Sequence, residues 1–97
     1  MIRHIVMFRL KESPEKEKNA QELKEAIEAL ENIISEVKSI EIGLNINTKP
    51  AAYDLVLISD FENEEALDRY RVHPEHQKVL ELIARINKEI AVVDYHF

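Results

Sequence analysis

Tyr53-Asp54-Leu55-Val56-Leu57-Ile58-Ser59-Asp60-Phe61 is the stretch that decides the fold. Successive side chains of a β-strand point to opposite faces of its sheet. Leu55 and Leu57 fall on one face here, Val56 and Ile58 on the other, so neither face belongs in water. Two more segments read the same way. One is Ile5-Val6-Met7-Phe8, inside a strand over Ile2–Leu10, and the other is Ile90-Ala91-Val92-Val93, inside a last strand over residues 90–97. A fourth strand, over residues 37–46, alternates instead. It sets Ile40, Ile42, Leu44 and Ile46 against Lys38, Ser39, Glu41 and Asn45, and it reads as half-buried with a bulge at Gly43.

Between these strands lie helical patterns. Ser13-Pro14 reads as a helix start, with serine at the N-cap and proline at the first helical position. Ala20, Leu23, Ile27, Leu30 and Ile34 then recur at intervals of three and four, giving one apolar stripe backed by Glu and Lys. Asn63 caps a short helix carrying Ala66, Leu67 and Tyr70. Pro74 allows a new start, with Val79, Leu80, Leu82, Ile83 and Ile86 as the buried face. The order is β-α-β-β-α-β, with the second helix broken near His73-Pro74. This order predicts an α+β, ferredoxin-like fold in which one domain over residues 1–97 packs its helices on one face of an antiparallel four-stranded sheet.

Two amphipathic helices cover only one face of such a sheet. The other face needs a separate cover, and the simplest is a second copy related by a two-fold axis. At about 1.5–3 kcal/mol per buried branched side chain, a homodimer joined through the open sheet face, a dimeric α+β barrel, is expected over a monomer.

Composition narrows the function. The 97 residues carry a formal net charge of −6, which argues against nucleic-acid backbones and anionic membranes as partners. There is no cysteine, so disulfides and thiolate chemistry are excluded. A single glycine leaves no room for a Gly-rich phosphate loop. No leader pattern and no apolar run near 18 residues is present, and the chain is expected in the cytoplasm. No cofactor is expected.

The candidates for proton transfer gather at Tyr70-Arg71-Val72-His73-Pro74-Glu75-His76. Spacing of three places Tyr70, His73 and His76 on one side of a helix, although Pro74 disturbs the register. A histidine that titrates near neutrality can take a proton from carbon beside a carbonyl, and a phenol can hydrogen-bond the developing enolate. His4 shares a strand face with Val6 and Phe8 and can meet this group across an internal cleft. The alternative is that the same groups cap helices and satisfy one another in a structural corner. Two histidines three apart could hold an ion with a third ligand such as His4 or an acid, but no His-Glu-x-x-His pattern and no dense carboxylate cluster stands beside the pair, so no metal is expected. Asp94 could orient a histidine or belong to an ordinary polar strand edge. Arg3 and Arg9 flank the open face, where they could reach Glu41 or Asp60 across an interface or remain as solvated rim charges.

The opening Ile2-Arg3-His4-Ile5-Val6-Met7-Phe8-Arg9-Leu10-Lys11, the Tyr53-Asp54-Leu55-Val56-Leu57 strand, Tyr70-x-x-His73-Pro74-x-His76 and the closing Val92-Val93-Asp94-Tyr95 together resemble the stress-responsive α/β-barrel (Dabb) domain over about residues 2–97. The resemblance implies a dimeric α+β barrel and little about activity. Some members are stable stress-induced oligomers. One branch, of the olivetolic acid cyclase type, closes a linear polyketide without a cofactor, using a histidine base assisted by a tyrosine. By position His76 and Tyr70 match those two, and His4 and His73 match further pocket residues. Leu23 and Ile27 stand where that branch has aromatics, which alters what the pocket can hold. Three roles are therefore carried forward. The first is a small-molecule-binding module with a pocket lined by His4, Val6, Phe8, Leu23, Ile27, Tyr70, His73 and His76. The second is a cofactor-free cyclase, lyase or oxygenase with His76 as base and Tyr70 as orienting donor. The third is a structural protein whose useful property is stable assembly.

Overall fold

The computed structural model describes residues 1–97. Its elements are β1 (Ile2–Leu10), α1 (Lys16–Ala29), β2 (Val37–Leu44), β3 (Leu55–Phe61), α2 (Glu64–Val72), α3 (Pro74–Ile86) and β4 (Asn87–His96), with a single 3-10 turn at Leu30–Asn32 closing α1. The strands form one antiparallel sheet in the order β2-β3-β1-β4, the ferredoxin-like arrangement. No helix is long and apolar enough to cross a membrane.

The period of two along β1 sorts its side chains. Ile2, His4, Val6, Phe8 and Leu10 are buried beneath the helices, while Arg3, Ile5, Met7 and Arg9 look the other way and keep some exposure. Antiparallel register carries the same sorting across the sheet. Val6 faces Leu57 and Val92, so these three share the helix side; Ile5 faces Ile58 and Val93, so these three share the open side. Leu23, Ile27, Leu30 and Ile34 seat the first helix on the sheet as one buried stripe. The open side carries Ile5, Met7, Val56, Ile58, Ala91 and Val93 with no helix over them. At either end of it stands an arginine on an aromatic ring. Arg3 lies 4.3 Å from the Phe97 ring centroid and Arg9 4.4 Å from that of Tyr53.

Several local expectations are corrected. The first helix begins at Lys16, because Ser13 closes a turn of its own: its hydroxyl accepts from the Glu15 N–H at 3.2 Å and its carbonyl from the Lys16 N–H at 3.2 Å. The irregularity in β2 falls between Val37 and Ser39, not at Gly43, which pairs regularly with Val56 and has no positive φ. Ile46 lies beyond β2 and is 97% exposed. Arg3 makes its ion pair within the chain, where Nε and Nη2 donate to the two carboxylate oxygens of Asp60 at 2.9 and 3.1 Å. This fork-to-fork geometry holds the Asp60 carboxyl below its usual range. Leu80, expected on the buried face of α3, is 40% exposed, because β4 is an edge strand that extends past the helices.

Candidate functional site

Where the helices stop short of β4, a cavity of about 290 Å³ opens between α3 and the sheet. That is the low end of the range for small-molecule sites, suited to a compact ligand. Its floor is His4, Val6 and Phe8 of β1, Leu57 of β3, and Ile90 and Val92 of β4. Ile27 of α1, Tyr70 and Arg71 of α2, and His76, Val79, Leu80 and Ile83 of α3 complete the walls. Ten of these thirteen residues are hydrophobic, so a ligand here exchanges water mainly for aliphatic contact.

The break between α2 and α3 arms the site. Residue 73 precedes a proline and is pushed out of the helical region, and His73 is extended at φ −63°, ψ 136°. In an unbroken helix the Glu75 N–H would bond to the Arg71 carbonyl. Here it donates to His73 Nδ1 at 3.1 Å, so His73 is the N-cap of α3. The released Arg71 carbonyl takes two side chains instead. His76 Nδ1–H donates to it at 3.0 Å and Gln77 Nε2–H at 2.8 Å. A carbonyl only accepts, so His76 carries its proton on Nδ1 and keeps Nε2 as a lone-pair acceptor when neutral. Burial lowers the His76 pKa, opposed by the bond to Arg71, and His4 adds a smaller lowering. Near neutral pH the free imidazole is the prevailing form.

Tyr70 sits against His76, with ring centroids 4.4 Å apart, and on its other flank against Phe61 at 4.9 Å. The residue as a whole is 1% exposed, and no group of the protein hydrogen-bonds its hydroxyl, which is not itself fully buried and so opens to the cavity. Burial alone pushes its pKa up to about 12, so the hydroxyl stays protonated and able to donate.

On the sheet side, β4 pairs with β1 so that Asp94 stands opposite His4. His4 Nδ1 lies 2.5 Å from Asp94 Oδ1, and Arg71 Nη2 donates to Asp94 Oδ2 at 3.1 Å. Arg71 also donates to Asp68 at 3.0 Å. Asp94 thus orients His4 as a carboxylate orients an imidazole in relay arrangements. This chain of groups closes one end of the cavity and separates it from a polar surface depression of about 350 Å³ that includes Glu64, Glu65, Asp68 and His96.

The structure therefore brings His4, Val6, Phe8, Ile27, Tyr70 and His76 around one space. It puts two other expected residues elsewhere. Leu23 is fully buried in the core under α1, and His73 is engaged as a helix cap. Arg71 joins the site without having been singled out. Its signal was its place between Tyr70 and His73, but its two acid partners come from another turn and another strand. No group of three or more His, Asp or Glu side chains is arranged to hold a metal ion.

A four-stranded antiparallel sheet with helices on one face, a bare apolar second face and a histidine–tyrosine cavity under the helices defines the class of ferredoxin-like α+β proteins. The chain belongs to the stress responsive A/B barrel domain (Dabb) family, whose model matches residues 2–97. It is 34% identical over 98 residues to an uncharacterized protein of Streptomyces coelicolor, and the match covers all of both chains. It is 39% identical to a dimeric protein of unknown function and ferredoxin-like fold from Bacteroides fragilis, with a TM-score of 0.90, over 99% of this chain and 95% of that one. A hydroxynitrile lyase from Passiflora edulis superposes with a TM-score of 0.84 over 97% of this chain and 90% of that one; at 20% identity this likeness shows the shared fold alone.

Proposed function

We propose that this protein is a homodimer, joined through its open sheet faces, that binds a small organic molecule in the cavity between sheet and α3. The observation that carries the binding reading is Tyr70, which lines the cavity beside His76 with a hydroxyl that no group of the protein hydrogen-bonds and that stays in reach of the cavity's contents. A donor left free by the protein in a mainly apolar cavity is open to water or to a polar group of a ligand. The second support is the lone pair of His76 Nε2, kept free because the proton sits on the opposite nitrogen. The dimer is supported by the six apolar side chains of the bare face and by the Bacteroides relative, itself dimeric.

A second reading is favoured by the same pair of groups. A neutral imidazole beside a protonated phenol is the equipment for removing a proton next to a carbonyl and steadying the enolate without a cofactor. In that reading His76 Nε2 is the base and Tyr70 the orienting donor.

The test is a thermal-shift screen of small organic molecules, with hits followed by the ring signals of His76 in NMR. A pocket ligand stabilises by RT ln(1 + [L]/Kd). Tyr70→Phe and His76→Ala are expected to weaken hits tenfold or more, the cost of a lost hydrogen bond in a desolvated site. If both variants bind hits as the wild type does, the hits lie outside this cavity, and if no molecule in a broad library shifts the melting temperature, the pocket is structural and stable assembly is the protein's role. Turnover of an enolisable hit, lost in His76→Ala, would establish the enzymatic reading.

A further inference from the structure

The cavity has a direction. Lys11 N–H bonds to the Ile86 carbonyl, so α3 ends where β1 ends and runs alongside it. Along the floor, polar gives way to apolar from His4 through Val6 to Phe8, about 13 Å at roughly 3.3 Å per residue. Along the wall, His76 gives way to Leu80 and Ile83, about 10 Å at 1.5 Å per residue. On β4, Asp94 lies beside His4, Val92 beside Val6 and Ile90 beside Phe8. Three surfaces from separate parts of the chain thus grade from polar to aliphatic in one sense.

The aliphatic end is also the open one. Leu80, Ile90 and Val92 are 40%, 49% and 50% exposed, although all three line the cavity. At the closed end, the only full charge facing the space is Arg71, and Asp68 and Asp94 already pair with it at 3.0 and 3.1 Å. No unspent cation waits for an anionic ligand. The free groups are the Tyr70 hydroxyl and the Nε2 lone pair of His76, one able to donate and one to accept.

We infer that the ligand is an unbranched, uncharged aliphatic molecule of medium length that bears a carbonyl or hydroxyl at one end and enters head first, its tail leaving between α3 and β4. This rests on the binding reading above and assigns Leu80, Ile90 and Val92 as the residues that set preferred chain length. A carboxylate of the same length is rejected, because its charge would have to displace an aspartate from Arg71.

The experiment measures affinity by thermal shift and calorimetry for methyl ketones from butanone to undecanone, the matching secondary alcohols and the carboxylates of equal length. Affinity is expected to rise about fourfold per added methylene while the tail lies in the trough, and then to level off. Ketone or alcohol is expected to exceed the carboxylate at least tenfold. Leu80→Lys, at an exposed position that tolerates charge, is expected to flatten the chain-length dependence, weakening undecanone at least tenfold more than butanone. Tyr70→Phe is expected to weaken the whole series by one factor and keep its slope. A flat series, or carboxylates binding as well as ketones, overturns the inference. In that event compact cyclic molecules that still shift the His76 ring signals would keep the binding reading alive, whereas silence from every probe would end both.

Discussion

The strand Ile2–Leu10 serves two unlike environments at once. Its helix-facing side chains lie in a closed core that leaves one gap, and the gap holds the groups able to do chemistry. Its opposite side chains, Ile5 and Met7, lie on an apolar surface whose polar groups stand at its margins: Arg3 paired with Asp60 and Arg9 stacked on Tyr53 at the ends, and Glu41 on the edge strand β2 beside Ile58. Both faces are apolar, and their difference is in how polar groups are distributed. Polar groups inside an apolar wall mark a site for a small molecule; polar groups around an apolar field mark a surface for a large one.

The most forceful way to break this contrast is to charge the middle of the open face. Ile5→Glu puts a carboxylate between Ile58 and Val93, and a two-fold interface would bury it twice. Each buried unpaired charge costs several kcal/mol, so the dimer dissociation constant should rise roughly a thousandfold or more. Sedimentation would read this directly, with Ile46→Glu in the exposed loop as the control. A dimer of unchanged strength would mean that the open face is covered by something else.

Next comes the helix side. Tyr70→Ala removes a ring packed between Phe61 and His76 and should cost about 3–5 kcal/mol in urea unfolding. Tyr70→Phe should cost under about 0.5 kcal/mol, because the hydroxyl holds nothing in the fold. A large cost for the phenylalanine variant would reveal a hidden partner and weaken the case for a ligand.

Asp94→Ala cuts the links to both His4 and Arg71. The carboxylate is one-third exposed, which discounts the loss to about 1–2 kcal/mol. A double-mutant cycle with His4→Ala should show that most of it is shared.

Acid sharpens the comparison further. The folded-state pKa of His76 lies below its ordinary 6.5, so the unfolded chain takes up the proton first as pH falls. Stability contributed by the neutral ring is present above that value and drains away as pH drops through the lower, folded one. The melting temperature of the wild type should therefore fall more between pH 7 and pH 5 than that of His76→Gln. Equal slopes would mean that the ring is well solvated. Smallest of all is Gly43→Ala, expected within about 0.5 kcal/mol of neutral, since the residue is a regular strand position and a Cβ would meet Val56 Cγ1 at 3.6 Å.

The strands were legible because alternation and two-sided apolarity are properties of single segments, and Pro74 announced the helix break in the same local way. That Ile5 and Met7 share one face of β1 could be read without coordinates; that Val56 and Val93 lie on that same face comes from the register. What escaped was set by alignment between segments. That Asp94 meets His4 depends on the register of β4 against β1, which no local pattern encodes. That Leu80 lines a mouth depends on how far an edge strand overhangs a helix. His73 looked like His76 in sequence, and only the direction of one ring nitrogen separates a cap from a candidate base. Leu23 and Ile27 sit one helical turn apart on one stripe, yet only Ile27 reaches the cavity.

The anchor of His76 is main chain, so the side chain at position 71 is irrelevant to which ring nitrogen bears hydrogen. Substitutions there keep the tautomer and remove only the small lowering that the Arg71 charge puts on the imidazole, whereas changes at His73 or Pro74, neither of which lines the cavity, can let the helix heal and reclaim the carbonyl. Comparing only cavity-lining residues among relatives would thus overlook the two positions on which the protonation pattern of the site depends.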